Sequence, residues 1–313
     1  MNKIPKILVV GSINMDMICT AKKLPSNGET VSGMTFSTAA GGKGANQAVQ
    51  AARLGALVTM VGKVGADAFG QQLISQLEEN GVDVSHVSVC NRASTGVADI
   101  QIESGNGKTE NRILVIPGAN GEIKEDDVEF LQDEIAEYDM VILQNEIPTE
   151  INLKVAEYAS NKKIPIMLNP APSREMPCDL LRYVDYISPN EHEAKDITGI
   201  EIKDTETKEK AVSALLNMGV KNALITLGED GCIFSDGKRV LHSPCISYGK
   251  VVDPTAAGDS FIAAFCVAIA SGKDIENTLR FANSTAGITV CGMGAQPSLP
   301  SLEEVLKVID TLS

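Results

Sequence analysis

Asp253-Pro-Thr-Ala-Ala-Gly-Asp259-Ser260-Phe261 closes a polar turn and opens the apolar stretch Phe261-Ile-Ala-Ala-Phe-Cys-Val-Ala-Ile-Ala270. Ala256, Ala257 and Gly258 have almost no side chain, so their N–H groups can approach an anion at the positive end of the helix, where backbone donors lack partners. Asp259 then stands beside that anion. A carboxylate placed there can remove the proton of a hydroxyl that attacks a phosphoryl group, while the helix N-terminus stabilises the charge that develops. The same residues also suit a plain capped helix start, since Asp is an ordinary N-terminal residue.

A second motif, Gly41-Gly42-Lys43-Gly44-Ala45-Asn46-Gln47-Ala48, opens a helix that runs to about Leu54 before Gly55. Adjacent glycines let the backbone touch a ligand closely. Lys43 and Asn46 are three apart on one helical face, so both can reach one small polar molecule. The run is not a Walker loop, because Ser37 stands where the first glycine would be and Gly44 where the Ser/Thr would be. A dinucleotide fingerprint is missing too. The strand-like Lys6-Ile-Leu-Val-Val-Gly11 leads into Ser-Ile-Asn14-Met-Asp16 with no glycine-rich turn into a helix. Asn14 and Asp16 alternate and face the same side of an extended segment.

The 313 residues fit one large α/β domain with an insertion, or two modest domains. A formal charge of −14 argues against a nucleic-acid surface, which needs a basic stripe. An anionic ligand would then be held locally, by backbone N–H groups and a helix terminus. Seven scattered cysteines with no C-x-x-C pair suggest a reducing compartment and no zinc site. The apolar run Ile7–Val10 is too short for a signal segment, and residues 261–270 are too few to span a bilayer, so a cytoplasmic location is the expectation. The three histidines, His86, His192 and His242, lack a partner at metal-ligand spacing and are expected at the surface.

Strands are expected at 6–11, 58–64, 139–144, 164–169, 183–188, 222–227 and 232–235. Helices are expected near 44–54, 67–80, 149–161, 205–218, 258–271, 274–290 and 301–312. The alternation implies an α/β fold, a mostly parallel sheet with helices on both faces. Residues 14–39 and 93–116 break it with short strand-like pieces of alternating polarity and a glycine-rich turn at Ser104-Gly-Asn-Gly107. They are expected to form a small antiparallel sheet inserted into one domain of 1–313.

With both motifs in place, the chain resembles the ribokinase-like (PfkB) carbohydrate kinases over almost its full length. Asp253–Phe261 is similar to that family's C-terminal signature and Gly41–Ala48 to its N-terminal one. Between and around them, in family order, stand Gly11-Ser-Ile-Asn14-Met-Asp16, Pro117-Gly-Ala-Asn120, Leu143-Gln-Asn-Glu146, Asn169-Pro-Ala-Pro172, Pro189-Asn190-Glu-His-Glu193, Ile225-Thr226-Leu-Gly228 and Gly294-Ala-Gln-Pro-Ser298. The resemblance implies ATP-dependent phosphorylation of D-ribose at its 5-hydroxyl, with Asp259 as base and the amides of Ala256, Ala257 and Gly258 as anion hole. It implies that Asn14, Asp16, Gly42, Lys43, Asn46 and Glu146 hold the sugar, with Asn14 on the 2-hydroxyl. Asn190, Thr226, Gly228, Gly258 and Asn283 would meet the nucleotide, and Glu193 would organise the waters of Mg²⁺. A K⁺ ion is implied beside the anion hole, on the Asp253 side chain, the Thr255 carbonyl and carbonyls of the Cys291–Ser298 loop, Gly294 and Ser298 included. The inserted sheet would be a lid over the sugar, two lids packing into a homodimer.

Plainer readings stand beside these. Glu146 suits a solvated strand end, Asn190 and Glu193 a capping box, and Asp253 a capped turn. Pro254 departs from the commoner Asp-Thr opening, and removes an N–H outside the three amides of the hole. A kinase for deoxyribose, a nucleoside or another small sugar is the alternative within the class, and a non-catalytic sugar sensor the alternative outside it.

Overall fold

Four successive apolar residues, Ile7, Leu8, Val9 and Val10, are fully buried because strand β1 (Lys6–Val10) has a core on each side. Ile7 and Val9 pack with Phe265 and Leu279 on one face, and Leu8 and Val10 with Val155 and Val212 on the other. A strand covered on both faces gives this unbroken apolar run instead of alternation. The computed structural model describes residues 3–105 and 110–310.

Among the described residues, β1 lies inside a nine-stranded sheet of order β13-β12-β11-β10-β9-β8-β1-β4-β5. Its other members are β4 (Leu57–Gly65), β5 (Val82–Cys90), β8 (Met140–Gln144), β9 (Ile166–Asn169), β10 (Tyr186–Ile187), β11 (Asn222–Thr226), β12 (Cys232–Ser235) and β13 (Val240–Ser243). All neighbours are parallel except β11–β12 and β12–β13. A smaller sheet, order β3-β2-β6-β7, is made of β2 (Asn14–Ala21), β3 (Thr35–Gly41), β6 (Gly96–Glu103) and β7 (Glu110–Ile116). It is antiparallel at β2–β3 and β6–β7, and its middle pair, β2–β6, runs parallel.

The helices are α1 (Lys43–Arg53), α2 (Ala68–Glu79), α3 (Leu131–Glu134), α4 (Thr149–Lys162), α5 (Cys178–Tyr183), α6 (Glu191–Thr198), α7 (Thr205–Asn217), α8 (Ala257–Ala270), α9 (Ile275–Thr289), α10 (Ala295–Ser298) and α11 (Leu302–Asp310). Helix α8 buries every residue from Asp259 to Ala268, so it is apolar all round and sits inside the α1, α9 layer. No helix among the described residues is long and apolar enough to cross a membrane.

Two strands were not expected from the sequence, β5 and β13. In β5, Val-Asp-Val-Ser-His-Val-Ser-Val-Cys alternates with polar residues because it is an edge strand. The turn at 104–107 and the end of the last helix fall partly outside the described residues. His86, expected at the surface, is half-buried and stacks on Phe130 with ring centroids 3.8 Å apart.

The switch in strand order falls at β1. The chain leaves it for β4 on one side and later returns to β8 on the other. Open parallel sheets bind ligands at such a point, beyond the carboxyl ends of the strands. The residues at or just past those ends are Ser12, Asn14, Glu146, Asn169, Asn190 and Thr226.

Candidate active site

Helix α8 is preceded at its N-terminus by Ala256, whose φ of 61° puts a non-glycine residue in the left-handed region. That conformation costs an L-residue about 1–2 kcal/mol and holds the chain in a sharp turn immediately before the helix. The Ala257 N–H donates to the Pro254 carbonyl at 3.2 Å. Those of Ala256 and Gly258 have no protein partner among the described residues, and both residues line a cleft. Of the three amides expected to form an anion hole, two are therefore uncommitted and the third already has an acceptor.

Asp259, one position further, is 8 % exposed. Its carboxylate accepts from Asn46 Nδ2 at 3.0 Å and from Gln47 Nε2 at 2.9 Å. Burial pushes its pKa up, against the Lys43 ammonium and the two amide donors, which favour the charged form. The base candidate and the N-terminal motif are thus one structure, because α1 supplies both donors.

Helix α1 is seated by residues that follow β1 and β8. Ser12 O accepts from Ala45 N–H at 2.9 Å and Ser12 Oγ from Gly44 N–H at 3.3 Å. Glu146 Oε2 accepts from Lys43 N–H at 3.2 Å and from Ser12 Oγ at 2.5 Å. Glu146 is therefore no free strand end. It places a carboxylate on the positive end of α1. The glycines answer to this packing. Gly42 has φ 90°, and a Cβ there would stand 2.7 Å from Asn14 N, while one at Gly41 would stand 2.3 Å from Asp16 Oδ2.

Four carboxylates act on one ammonium around this junction. The Asp16 pKa is pushed up to about 7 by burial and by the carboxylates of Glu146 and Asp259, with Lys43 opposing. Burial works against the Lys43 ammonium, yet Asp259, Glu146, Glu193 and Asp16 together hold its pKa above the ordinary lysine value. Asn14 Oδ1 accepts from Asn120 Nδ2 at 2.7 Å.

Across the cleft, Asn190 and Glu193 make a capping box at the start of α6, each side chain accepting the other's backbone N–H at 2.9 Å. Thr226 N–H donates to Pro189 O at 3.1 Å, so the end of β11 and the Asn190 turn are bound side by side. Lys43, Asn169, Ser188, Asn190, Glu193, Thr226, Ala256, Gly258 and Asp259 line one shared cleft. Gly228 (φ 54°) opens a 3-10 turn after β11 and is not in that lining. Asn283 is not brought there either. Its amide Nδ2 donates to Ser243 Oγ at 2.8 Å and ties α9 to β13.

Asp253 behaves as the turn cap that was its plainer reading. Oδ1 accepts from Thr255 N–H at 2.9 Å and from Thr255 Oγ1 at 2.6 Å, and Oδ2 accepts from Gly294 N–H at 2.9 Å. Gly294 thus offers Asp253 its N–H, and the loop expected to curl its carbonyls inward is partly helical, as α10. Ser298 Oγ turns back to Ala295 O at 2.8 Å.

Ser12, Gln47, Asn120 and Asn169 belong to the site without having been singled out. Each lay inside a quoted motif, but its side-chain partners are 19 or more residues away, and no local spacing signals such a bond.

The match to known proteins agrees with this arrangement. Residues 4–302 match the model of the pfkB family carbohydrate kinases. The ribokinase of Bacillus subtilis is 41 % identical over 303 residues, which cover 97 % of this chain and 99 % of that one. That of Schizosaccharomyces pombe is 41 % identical, with 96 % of each covered. The structure of Arabidopsis thaliana ribokinase complexed with ribose and ATP superposes with a TM-score of 0.91 at 36 % identity, covering 98 % of this chain and 99 % of that one. The chain belongs to the pfkB family of carbohydrate kinases.

Proposed function

We propose that this enzyme transfers the γ-phosphate of ATP to the 5-hydroxyl of D-ribose, with Asp259 as general base. The observation that carries the reading is the Asp259 carboxylate, buried and hydrogen-bonded beside the uncommitted amides of Ala256 and Gly258, in a cleft that also reaches Lys43, Asn190 and Thr226. The similarity to ribokinases supports ribose as the sugar. In the proposed reaction Asn14, Asp16, Gly42, Lys43, Asn46 and Glu146 hold the sugar, and the nucleotide lies towards Asn190, Thr226 and Gly228. Asp259 takes the hydroxyl proton, the new oxygen–phosphorus bond forms, and the bond to the bridging β–γ oxygen breaks to release ADP. The amides and Lys43 stabilise the charge on the transferring group.

Among the described residues no three His, Cys, Asp or Glu side chains gather where they could hold a metal ion. In the proposed reaction a Mg²⁺ ion would arrive on the nucleotide, with Glu193 towards its waters. The ion would neutralise phosphate charge. We further propose one catalytic domain over 1–313 with the small sheet as its lid, and a cytoplasmic location.

Asp259→Asn is expected to lower kcat by about 10²–10⁴-fold and to keep ribose binding. A coupled assay with ribose, deoxyribose, fructose and adenosine, paired with calorimetry, checks both. Near-normal turnover would remove Asp259 from the role of base.

Asp16 gives a pH signature. An ionised carboxylate accepts sugar hydroxyls best, so ribose affinity is expected to rise between pH 6 and 8, and Asp16→Ala to weaken it by about 1.5–3 kcal/mol. The sign for stability is opposite. With its pKa raised to about 7, the native state holds this proton where the unfolded state has lost it, so the Asp16 contribution to stability is full below pH 4, falls as pH rises from 4 and is lost above 7. The Asp16 share of the fall appears as the difference in Tm slope between wild type and Asp16→Asn, both without sugar. Parallel slopes would count against it.

Activation by K⁺ is part of the proposal. Asp253 joins the 253–255 turn to Gly294, so a weakly hydrated cation at its carboxylate would fix the turn that aims the α8 amides. K⁺ is expected to raise kcat/KM above its value in Na⁺ at equal ionic strength, and Asp253→Ala to abolish the difference. Equal rates in K⁺, Na⁺ and a bulky organic cation would sink it.

We also propose a homodimer through the lid. Its edge strands expose Phe36 (61 %) and Leu114 (64 %), with Ile113, Val115 and Ile116 beside them, more apolar surface than an edge usually carries. Sedimentation should give twice the monomer mass for wild type and the monomer mass for Leu114→Lys. A monomeric wild type at micromolar concentration would refute the lid contact.

A further inference from the structure

We infer that Asn120 is a positioning residue that fixes which end of the Asn14 amide faces the sugar, and thereby sets the preference for a sugar bearing a hydroxyl at that point. The inference rests on the sugar-kinase reading above. Amide oxygen and nitrogen are hard to tell apart by shape, so their assignment has to come from partners of known polarity. Asn120 has such partners. Its Oδ1 accepts the Ile13 backbone N–H at 2.9 Å and its Nδ2 donates to the Ile13 carbonyl at 3.1 Å, and neither bond survives reversal of the amide. With Nδ2 fixed on that side, the atom of Asn14 that meets it at 2.7 Å has to be the acceptor, Oδ1. The Asn14 Nδ2 group is therefore turned the other way, and it has no protein partner among the described residues although Asn14 is 3 % exposed.

The surroundings are shaped for this contact. A Cβ on Gly96 would stand 2.2 Å from Asn14 Oδ1 and 2.3 Å from Asn120 Nδ2, so the glycine leaves the space in which the two amides meet. Asn120 itself is 1 % exposed and sits in the 3-10 turn Gly118–Glu122, anchored by Ala119 N–H to Ser94 O at 2.8 Å. Asn14 and Asp16 share one face of β2. In the fixed orientation that face presents an N–H donor beside a carboxylate acceptor, so a hydroxyl can accept from Asn14 while its neighbour donates to Asp16. A reversed Asn14 would put two acceptors side by side. A sugar lacking the hydroxyl leaves a buried donor unpaired, and sites built this way discriminate strongly.

The test measures kcat/KM for ribose, 2-deoxyribose and 3-deoxyribose. Wild type is expected to disfavour one deoxy sugar, and Asn14→Ala to identify it by losing that preference. Asn120→Asp has the same size but cannot donate to Asn14 Oδ1, and Asn120→Ser cannot reach it. Both should lower the ribose-to-deoxyribose ratio to the level of Asn14→Ala, a change of about ten-fold or more. The double variant Asn14→Ala/Asn120→Ser should show no further loss of the ratio, whereas a merely structural role would leave the ratio alone and lower Tm. If Asn120→Asp fails to fold, Asn120→Ser carries the test. An intact ratio in the folded Asn120 variants, or losses that add in the double variant, would overturn the inference while leaving the kinase reading untouched. A wild type that phosphorylates no pentose would overturn both.

Discussion

Everything in this site depends on a carboxylate that has been taken out of water. An ionised group in a protein interior is tolerable only where hydrogen bonds and a counter-charge replace its hydration. Asp259 receives two amide donors from α1 and the field of Lys43 from the same helix. The requirement propagates. Gln47 also donates to Asn169 Oδ1 at 3.2 Å and accepts from Gln144 Nε2 at 2.8 Å, and Asn169 Nδ2 donates to Ser188 O at 3.1 Å. The carboxylate is thereby registered against the carboxyl ends of β8 and β9 and the segment after β10. Asn46 Oδ1 is buried without a protein partner among the described residues, an acceptor left over beside the Asp259 carboxylate.

A second set of bonds keeps the two signature helices from sliding. Ser260 Oγ donates to Gln50 Oε1 at 3.2 Å and shares a 2.7 Å bond with Thr289 Oγ1. Gln50 Nε2 reaches Pro300 O, and Arg53 Nη1 reaches the carbonyls of Gln296 and Leu299, each at 2.7 Å for the arginine. Helices α1, α8 and α9 and the 294–300 segment form one mount. A base held by such a mount keeps its geometry without reorganisation when substrates arrive, the condition under which fixed dipoles stabilise a transition state most.

The parts of this architecture that were legible in the sequence are those written in local patterns. Ile7–Val10 announced a strand buried on both faces, and the small residues before Phe261 announced an exposed helix terminus. Strand β5 was hidden because its outer face is polar, with Asp83 and Ser85 breaking the apolar run. The roles of Ser12, Gln47 and Asn120 were hidden for a different reason. Each is an amide or hydroxyl whose partner lies far off in the chain, as Asn120 does from Asn14, and pairwise polar contacts leave no periodicity. The glycines at 41 and 42 were found for one reason and are required for another. Approach to a ligand was expected, and the close passage of β2 and the Asp16 carboxylate is what the packing demands.

The same logic explains why the site is uneasy on its own. Asp16, Glu146 and Asp259 share one ammonium, Lys43, and burial together with the two neighbouring carboxylates pushes the Asp16 pKa up to about 7. Sequence and fold agree almost everywhere else in the molecule, and sites of chemistry are where such agreement is given up. In the proposed reaction a sugar would bring hydroxyl donors to the crowded carboxylates, and a nucleotide would bring negative charge to Lys43 and to the α8 amides. Each ligand satisfies groups that the protein leaves in excess. On that proposal the unfavourable charge distribution of the free cleft would itself be a source of binding free energy, favouring ligands that arrive with donors on one side and phosphate on the other.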